Sequence, residues 1–245
     1  LYTPVIKGLW ARSELHMKIS KRGYSGHRPD IVAAISHQNI GSVLDVGCGE
    51  GGIGAELKGK TPAVEVYGIE GDSVLLAQAE EVLDGCWAAD LDAPEWVSPI
   101  RDQSFDVIIF ADVLEHLKCP GKVLADVLPL LNENGQIVIC LPNVRHWSTF
   151  YHLYIKGVWP TNERGIFDKT HFHFFARRNI LNLIREAGLE VVLEKRNVRI
   201  IEHWSWTNLP GKFLDWWPFR PFFTFQYIHV CELSSDDPVD SNANE

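Results

Sequence analysis

With 245 residues, 46% apolar and 22% charged, the chain has the size and balance of one large globular domain with a substantial core and little left for a second. A net charge of −9 argues against non-specific nucleic-acid binding, and the lack of a signal peptide or an apolar run of about 18 residues argues against secretion and membrane spanning. Five cysteines, an odd number with no C-x-x-C pair, point to free thiols in a reducing compartment and so to the cytoplasm.

The chain opens on Leu1 rather than Met, so a trimmed N-terminus is expected. Residues 1–29 mix aromatic, basic and glycine residues without a period and read as an N-terminal segment covering cofactor or acceptor; Pro29 and Asp30 then open a helix expected to reach about residue 38. Val43-Leu44-Asp45-Val46 reads as a buried strand, and the glycine cluster from Gly47 turns it into a helix beginning near Ile53. Glycines there admit positive φ and bring backbone N–H groups close to a ligand. Gly47-x-Gly49-x-x-Gly52 also fits the dinucleotide fingerprint, so the glycines alone leave a nicotinamide cofactor and S-adenosylmethionine both open.

The acids separate the two. Glu50 lies inside the loop, where it would repel a pyrophosphate yet suits a cofactor carrying an ammonium and a sulfonium. Val66-Tyr67-Gly68-Ile69-Glu70 is a second strand whose terminal carboxylate is placed to accept both ribose hydroxyls. Asp90 falls where a third strand ends, at the adenine edge. Asp45, Glu70 and Asp90 in this order make the chain resemble class I S-adenosylmethionine-dependent methyltransferases, from about Tyr24 to Glu232. That resemblance implies an α/β, Rossmann-like, seven-stranded sheet ordered 3-2-1-4-5-7-6, strand 7 antiparallel, with helices on both faces. It also implies cofactor contacts from Arg28, Asp45, Gly47, Cys48, Gly49, Glu70, Gly71, Asp90, Leu91, Ala111 and Asp112, with S-adenosylhomocysteine as product. In such enzymes an arginine placed like Arg28 reaches the methionine carboxylate; its alternative here is a surface pair with Asp30.

Further along, residues 73–83 read as a helix and Phe105 to Phe110 as a fourth, fully buried strand. Asp112, Glu115 and His116 follow its carboxyl end, where ligands sit in doubly wound sheets; on a helix Asp112 and His116 would share a face. No metal is expected, because two carboxylates and one histidine stand there without a second ligand cluster. A helix over 121–131, a turn at Asn134-Gly135 and a fifth strand over 136–141 come next. Residues 144–176 form an inserted excursion, expected to cover the cofactor pocket. From Val144 to Arg178 it and its exit carry six Lys or Arg against two acids, a local excess of four positive charges, with Arg145, Lys156 and Arg164 suited to an anionic acceptor. A helix over 177–187, a sixth strand over 189–194 and a seventh over 225–233 complete the domain, 30–233; residues 234–245 read as a disordered acidic tail. The aromatic stretch from Trp204 to Phe225 is either packing or a surface for an amphiphilic acceptor or membrane interface.

Three blocks narrow the resemblance: Asp112-Val-Leu-Glu115-His116-Leu, Leu141-Pro-Asn143-Val-Arg145-His146 and Phe167-Asp168-Lys-Thr170-His171-Phe-His173-Phe-Phe175. With Tyr24-x-x-x-Arg28-x-Asp30 they look like bacterial methyltransferases that accompany glycosyltransferases in surface-polysaccharide and lipopolysaccharide assembly. His173 departs from the arginine usual in that group. The implied reaction is methyl transfer to a hydroxyl of a sugar, glycan or other small acceptor, with a lipid, amine or carboxyl acceptor as the alternative. A hydroxyl needs a place for its proton, and His171 is the first choice of base, His146 the second and His116 the third. The rival classes are a nicotinamide oxidoreductase, which leaves Glu50, Asp90 and an antiparallel seventh strand unexplained, and a non-catalytic cofactor-binding module. Nothing in the sequence fixes an oligomeric state.

Overall fold

The computed structural model describes residues 27–35, 40–199 and 219–235. Its strands are β1 (Ser42–Val46), β2 (Glu65–Glu70), β3 (Gly85–Ala88), β4 (Phe105–Ala111), β5 (Leu131–Pro142), β6 (Leu189–Val198) and β7 (Thr224–Leu233). They form one sheet ordered β3-β2-β1-β4-β5-β7-β6, with β7 antiparallel to both β5 and β6, as expected. The helices are α1 (Pro29–Val32), α2 (Gly52–Lys60), α3 (Ser73–Ala79), α4 (Pro120–Val127), α5 (Trp147–Phe150), α6 (Arg177–Glu186) and α7 (Arg220–Phe223).

The central strands read as unbroken apolar runs because both faces are covered. Leu44, Val46, Ile108, Phe110, Ile137 and Ile139 pack with Val123, Leu124 and Val127 of α4 and Ile180 and Ile184 of α6. Val43, Val107, Ile109 and Val138 pack on the other face with Ile31 of α1 and Ile53 and Leu57 of α2. Alternation along β1 therefore sends Asp45 to the second face, as the one carboxylate in a strand that is apolar at Val43, Leu44 and Val46.

Three local expectations change. Asn134-Gly135 does not separate a helix from a strand: β5 already pairs at Leu131 with Phe105, and the register jumps so that Val107 meets Gln136. Asn134, at φ 64°, sits in this bulge, where a short polar side chain tolerates the left-handed region. The segment after β4 is no α-helix either: Asp112 itself has φ 58°, and Leu114–His116 is a single 3-10 turn, so Asp112 and His116 do not stack as an i, i+4 pair. Finally α1 ends at Val32, short of residue 38, with residues 36–39 outside the described ones. Tyr24 and nearly all of the N-terminal segment, the tryptophans from Trp204 to Trp217 and the acidic tail beyond residue 235 also lie outside them.

The excursion over 144–176 comprises α5, a π-helical turn over Tyr151–Ile155 and an irregular return. Ile166 and Phe167 anchor it by packing on Phe225 at the start of β7.

Candidate functional site

Strand order reverses between β1 and β4, which opens a crevice beyond their carboxyl ends. The loops leaving these two strands touch: a Cβ on Gly47 would stand 2.6 Å from Val113 Cγ2, and Gly47 has φ 75°, so no other residue fits there without strain. Gly47 and Cys48 donate backbone N–H bonds to Ile69 O, tying the loop to the end of β2. Glu70 completes the tie. Its Oε2 accepts from Gly49 N at 2.9 Å and its Oε1 from Asp72 N at 2.9 Å, while Asp72 caps α3 through Val74 N and Leu75 N. One carboxylate thus holds the loops after β1 and β2 in a common arrangement, and each oxygen keeps a lone pair for a ligand hydroxyl.

Asp45 is 2% exposed and its Oδ2 has no hydrogen-bond partner. Burial, with Glu70 nearby, pushes its carboxyl up to about 7 against a pull downward from Arg28. A buried, unsatisfied carboxylate oxygen at the glycine loop is costly unless something meets it. The fit to a cationic, hydroxyl-bearing cofactor rests on this orphaned atom and on the Glu70 carboxylate beside it. Asp90 lies just past β3, exposed, accepting from Asp92 N; Gly71 follows β2, Leu91 follows Asp90, and Ala111 ends β4. Cys48 is buried, and burial together with Asp45 raises its thiol well above the usual range.

Arg28 makes the expected pair with Asp30, though part-buried rather than at the surface. Its Nη2 pairs with Asp30 at 2.9 Å, yet Nη1 reaches Asp112 Oδ2 at 2.5 Å and Nη2 also reaches Cys140 Sγ at 3.1 Å. Burial alone would lower its pKa; the charge of Asp112 leads the influences that raise it instead. Gln226 was not foreseen: its Nε2 donates to Asp112 Oδ1 at 2.6 Å. No local signal marks it, because only the antiparallel pairing of β7 with β5 brings residue 226 opposite Pro142.

The expected catalytic histidines separate. His146 is 1% exposed and caps α5; its Nδ1 lies 2.8 Å from Ser148 Oγ and its Nε2 2.9 Å from Arg199 O, and burial brings its pKa down to about 4. His116 and His171 meet, with ring centroids 4.6 Å apart. His171 Nε2 stands 3.8 Å from Glu115 Oε1, and Glu115 Oε2 and His171 Nδ1 are both buried without a hydrogen-bond partner. Burial, reinforced by Asp112, raises the Glu115 carboxyl well above its ordinary value, while burial and then His116 lower His171. Backbone bonds from Phe172 N and His173 N to Glu115 O stitch this part of the excursion onto the turn after β4. His173 itself sits apart, with Nε2 3.3 Å from Lys118 O.

Of the three cations singled out for an anionic acceptor, only Arg145 lines the cavity at the end where β5 leaves the sheet. That cavity, of about 680 Å³, is bordered by Arg145, Arg177, Arg178, Arg196 and Arg220 with Glu194 as its single carboxylate. Lys156 instead lies 5.0 Å over the Tyr151 ring.

A family model described as "Methyltransferase domain" matches residues 21–194. The trans-aconitate 2-methyltransferase of Escherichia coli (strain 55989 / EAEC) is 27% identical over 165 residues, covering 66% of this chain and 62% of the relative. The chain thus matches somewhat under two thirds of that relative's length. Among solved structures, a SAM-dependent methyltransferase from Archaeoglobus fulgidus superposes with TM-score 0.58 at 18% identity, covering 84% of this chain and 94% of the other. Magnesium protoporphyrin IX methyltransferase from Synechocystis, with bound SAH, gives TM-score 0.58 at 15% identity over 89% and 86%. At these identities the likeness is one of fold.

Proposed function

The chain belongs to the family of methyltransferase domains, and from that premise we propose that it is an S-adenosylmethionine-dependent enzyme that methylates a hydroxyl of a sugar, glycan or other small anionic acceptor. The cofactor supplies a methyl group on a positively charged sulfur, whose departure as a neutral thioether leaves little for the protein to do beyond alignment and handling the acceptor's proton. The observation that carries the hydroxyl reading is the group of buried Glu115 with half-buried His116 and His171, stitched beside the loop that touches Gly47. An acceptor that is already an anion needs no such group. His171 is where the acceptor's hydroxyl is activated. His146, with both ring nitrogens bonded, acts as the helix cap.

The excursion over 144–176 serves as the cover of this pocket, and the arginine-lined cavity beside it receives the acceptor's negative charge. Five guanidinium groups against one carboxylate also suit a di- or tricarboxylate, and the curated relative carries trans-aconitate in its name. A carboxylate acceptor is therefore the second reading. The two part on one variant. His171→Ala is expected to leave cofactor affinity within about threefold, under about 0.7 kcal/mol, while cutting turnover on a hydroxyl acceptor roughly a hundredfold. Calorimetry with the cofactor and single-turnover assays on nucleotide sugars, glycans and polycarboxylates supply both numbers. Turnover on a carboxylate that is indifferent to His171→Ala would establish the second reading in place of the first.

A further inference from the structure

Among the described residues one group has the composition and spacing of a metal centre: Glu115, His116 and His171, with one ligand atom from each lying within 4.8 Å of the others. We propose that these residues bind a divalent first-row transition ion, and that the ion holds and acidifies the acceptor's hydroxyl. The second half rests on the methyl-transfer reading above; the first half stands on the site alone.

The geometry of the carboxylate is the first argument. Glu115 is 1% exposed, its Oε2 has no hydrogen-bond partner, and its Oε1 stands 3.8 Å from His171 Nε2, too far for a hydrogen bond. Two donors that share an ion about 2.1 Å from each lie roughly 3.0 to 4.2 Å apart, so this separation suits a common ligand better than a direct bond. The widest separation within the group, 4.8 Å at most, closes onto an ion with a side-chain shift of about half an ångström. The position is also built rather than accidental, since Phe172 N and His173 N both bond to Glu115 O and so fix residue 171 against residue 115.

The second argument is the tautomer of His116. Thr170 Oγ1 donates to Asp168 Oδ1 at 2.6 Å, and Asp168 Oδ1 also accepts from Thr170 N at 2.8 Å. With its only proton committed, the Thr170 hydroxyl must accept from His116 Nδ1, which lies 2.9 Å away. Nδ1 therefore carries the proton and Nε2 presents its lone pair. A carboxylate acting through a hydroxyl on the far nitrogen of an imidazole is the outer-shell arrangement that orients metal-ligating histidines. Nothing in the use of His116 as a packing residue calls for it.

Two imidazoles and one carboxylate favour zinc, cobalt, nickel, iron or manganese over magnesium or calcium, which prefer all-oxygen surroundings. Three protein ligands leave positions open for a substrate oxygen. With the acceptor's hydroxyl there, its proton leaves to solvent water, the O–CH3 bond forms as the CH3–S bond breaks, and the bonding pair stays on sulfur. His171 then works as a ligand. The sequence expects no metal because His171 stands 55 residues beyond His116, in another block.

The test uses the full chain, stripped with chelator and titrated with CoCl2 while following visible d–d absorption, with ZnCl2 as competitor and MgCl2 as comparator. One ion per chain is expected, displaced by zinc and not by magnesium. Glu115→Gln and His171→Ala should abolish the saturable band. Thr170→Val, which leaves every ligand in place, should weaken cobalt about 10- to 100-fold. Calorimetric affinity for S-adenosylmethionine within threefold of wild type shows that each variant is folded. An absent band, or one unchanged in His171→Ala and Thr170→Val, overturns the proposal. Cobalt binding by a wild-type chain that fails to bind the cofactor would overturn the methyl-transfer reading and leave the metal centre standing.

Discussion

Replacing Glu70 by alanine is expected to weaken S-adenosylmethionine by two to three orders of magnitude in calorimetry, with the fold retained. The carboxylate accepts from Gly49 N and Asp72 N, one on each oxygen, so it joins the glycine loop to the start of α3. Charge-assisted bonds of this kind contribute about 1.5 to 3 kcal/mol each, and losing both frees the loop whose N–H groups face the ligand. The ribose hydroxyls lose their acceptor in the same substitution. Glu70→Gln separates the two effects: it keeps one acceptor oxygen but presents N–H to a backbone N–H, so it should bind no better than about tenfold above the alanine variant. Unchanged affinity in Glu70→Ala would remove the residue, and with it the cofactor assignment at this edge.

How far the site was legible in the sequence follows the range of the interactions that build it. The cofactor edge is made of local signals: an apolar strand, glycines needing φ near 75° at Gly47 and 80° at Gly51, and acids at successive strand ends. Each is written within a short stretch of chain, so the strand ends carrying Asp45, Glu70 and Asp90 could be read directly, whereas the strand order followed from the family resemblance that those acids carry. The acceptor side is made of long-range contacts. His171 and Glu115 meet across 56 residues, Arg28 and Asp112 across 84, and Gln226 and Asp112 across 114. Residue types and motif blocks flagged most of these positions without saying which would touch. Asp112 shows the limit most clearly. Its sequence context suggests a helical pair with His116, whereas a left-handed backbone at φ 58° turns it toward Arg28 and Gln226 instead. The arginines of the cavity likewise come from four separate stretches of chain, so charge counting over 144–178 found only part of them.

Asp45→Asn should stabilise the cofactor-free protein at pH 8 and weaken cofactor binding, a pairing that only a functional carboxylate predicts. Burial holds the Asp45 carboxyl near 7 in the folded chain against an ordinary value of 3.8. The folded state therefore binds more protons than the unfolded one between these values, and stability attributable to this group falls as pH rises from about 4 through 7. The gap corresponds to about 4 kcal/mol as an upper figure, reduced by whatever water reaches the apo crevice. Asparagine carries no such titration. The difference in unfolding free energy between variant and wild type should accordingly grow by a few kcal/mol between pH 5 and pH 8, measured by urea denaturation without ligand. Glu115, also buried and raised, is common to both proteins and cancels in that difference. With S-adenosylmethionine saturating, the order reverses, because the wild-type carboxylate gains a partner for its orphaned Oδ2 and the amide gains less. A variant whose stability advantage is the same at pH 5 and pH 8 would show that Asp45 is already ionised in the folded chain throughout this range, as it is in the unfolded one, and would remove the raised carboxyl as the source of the effect.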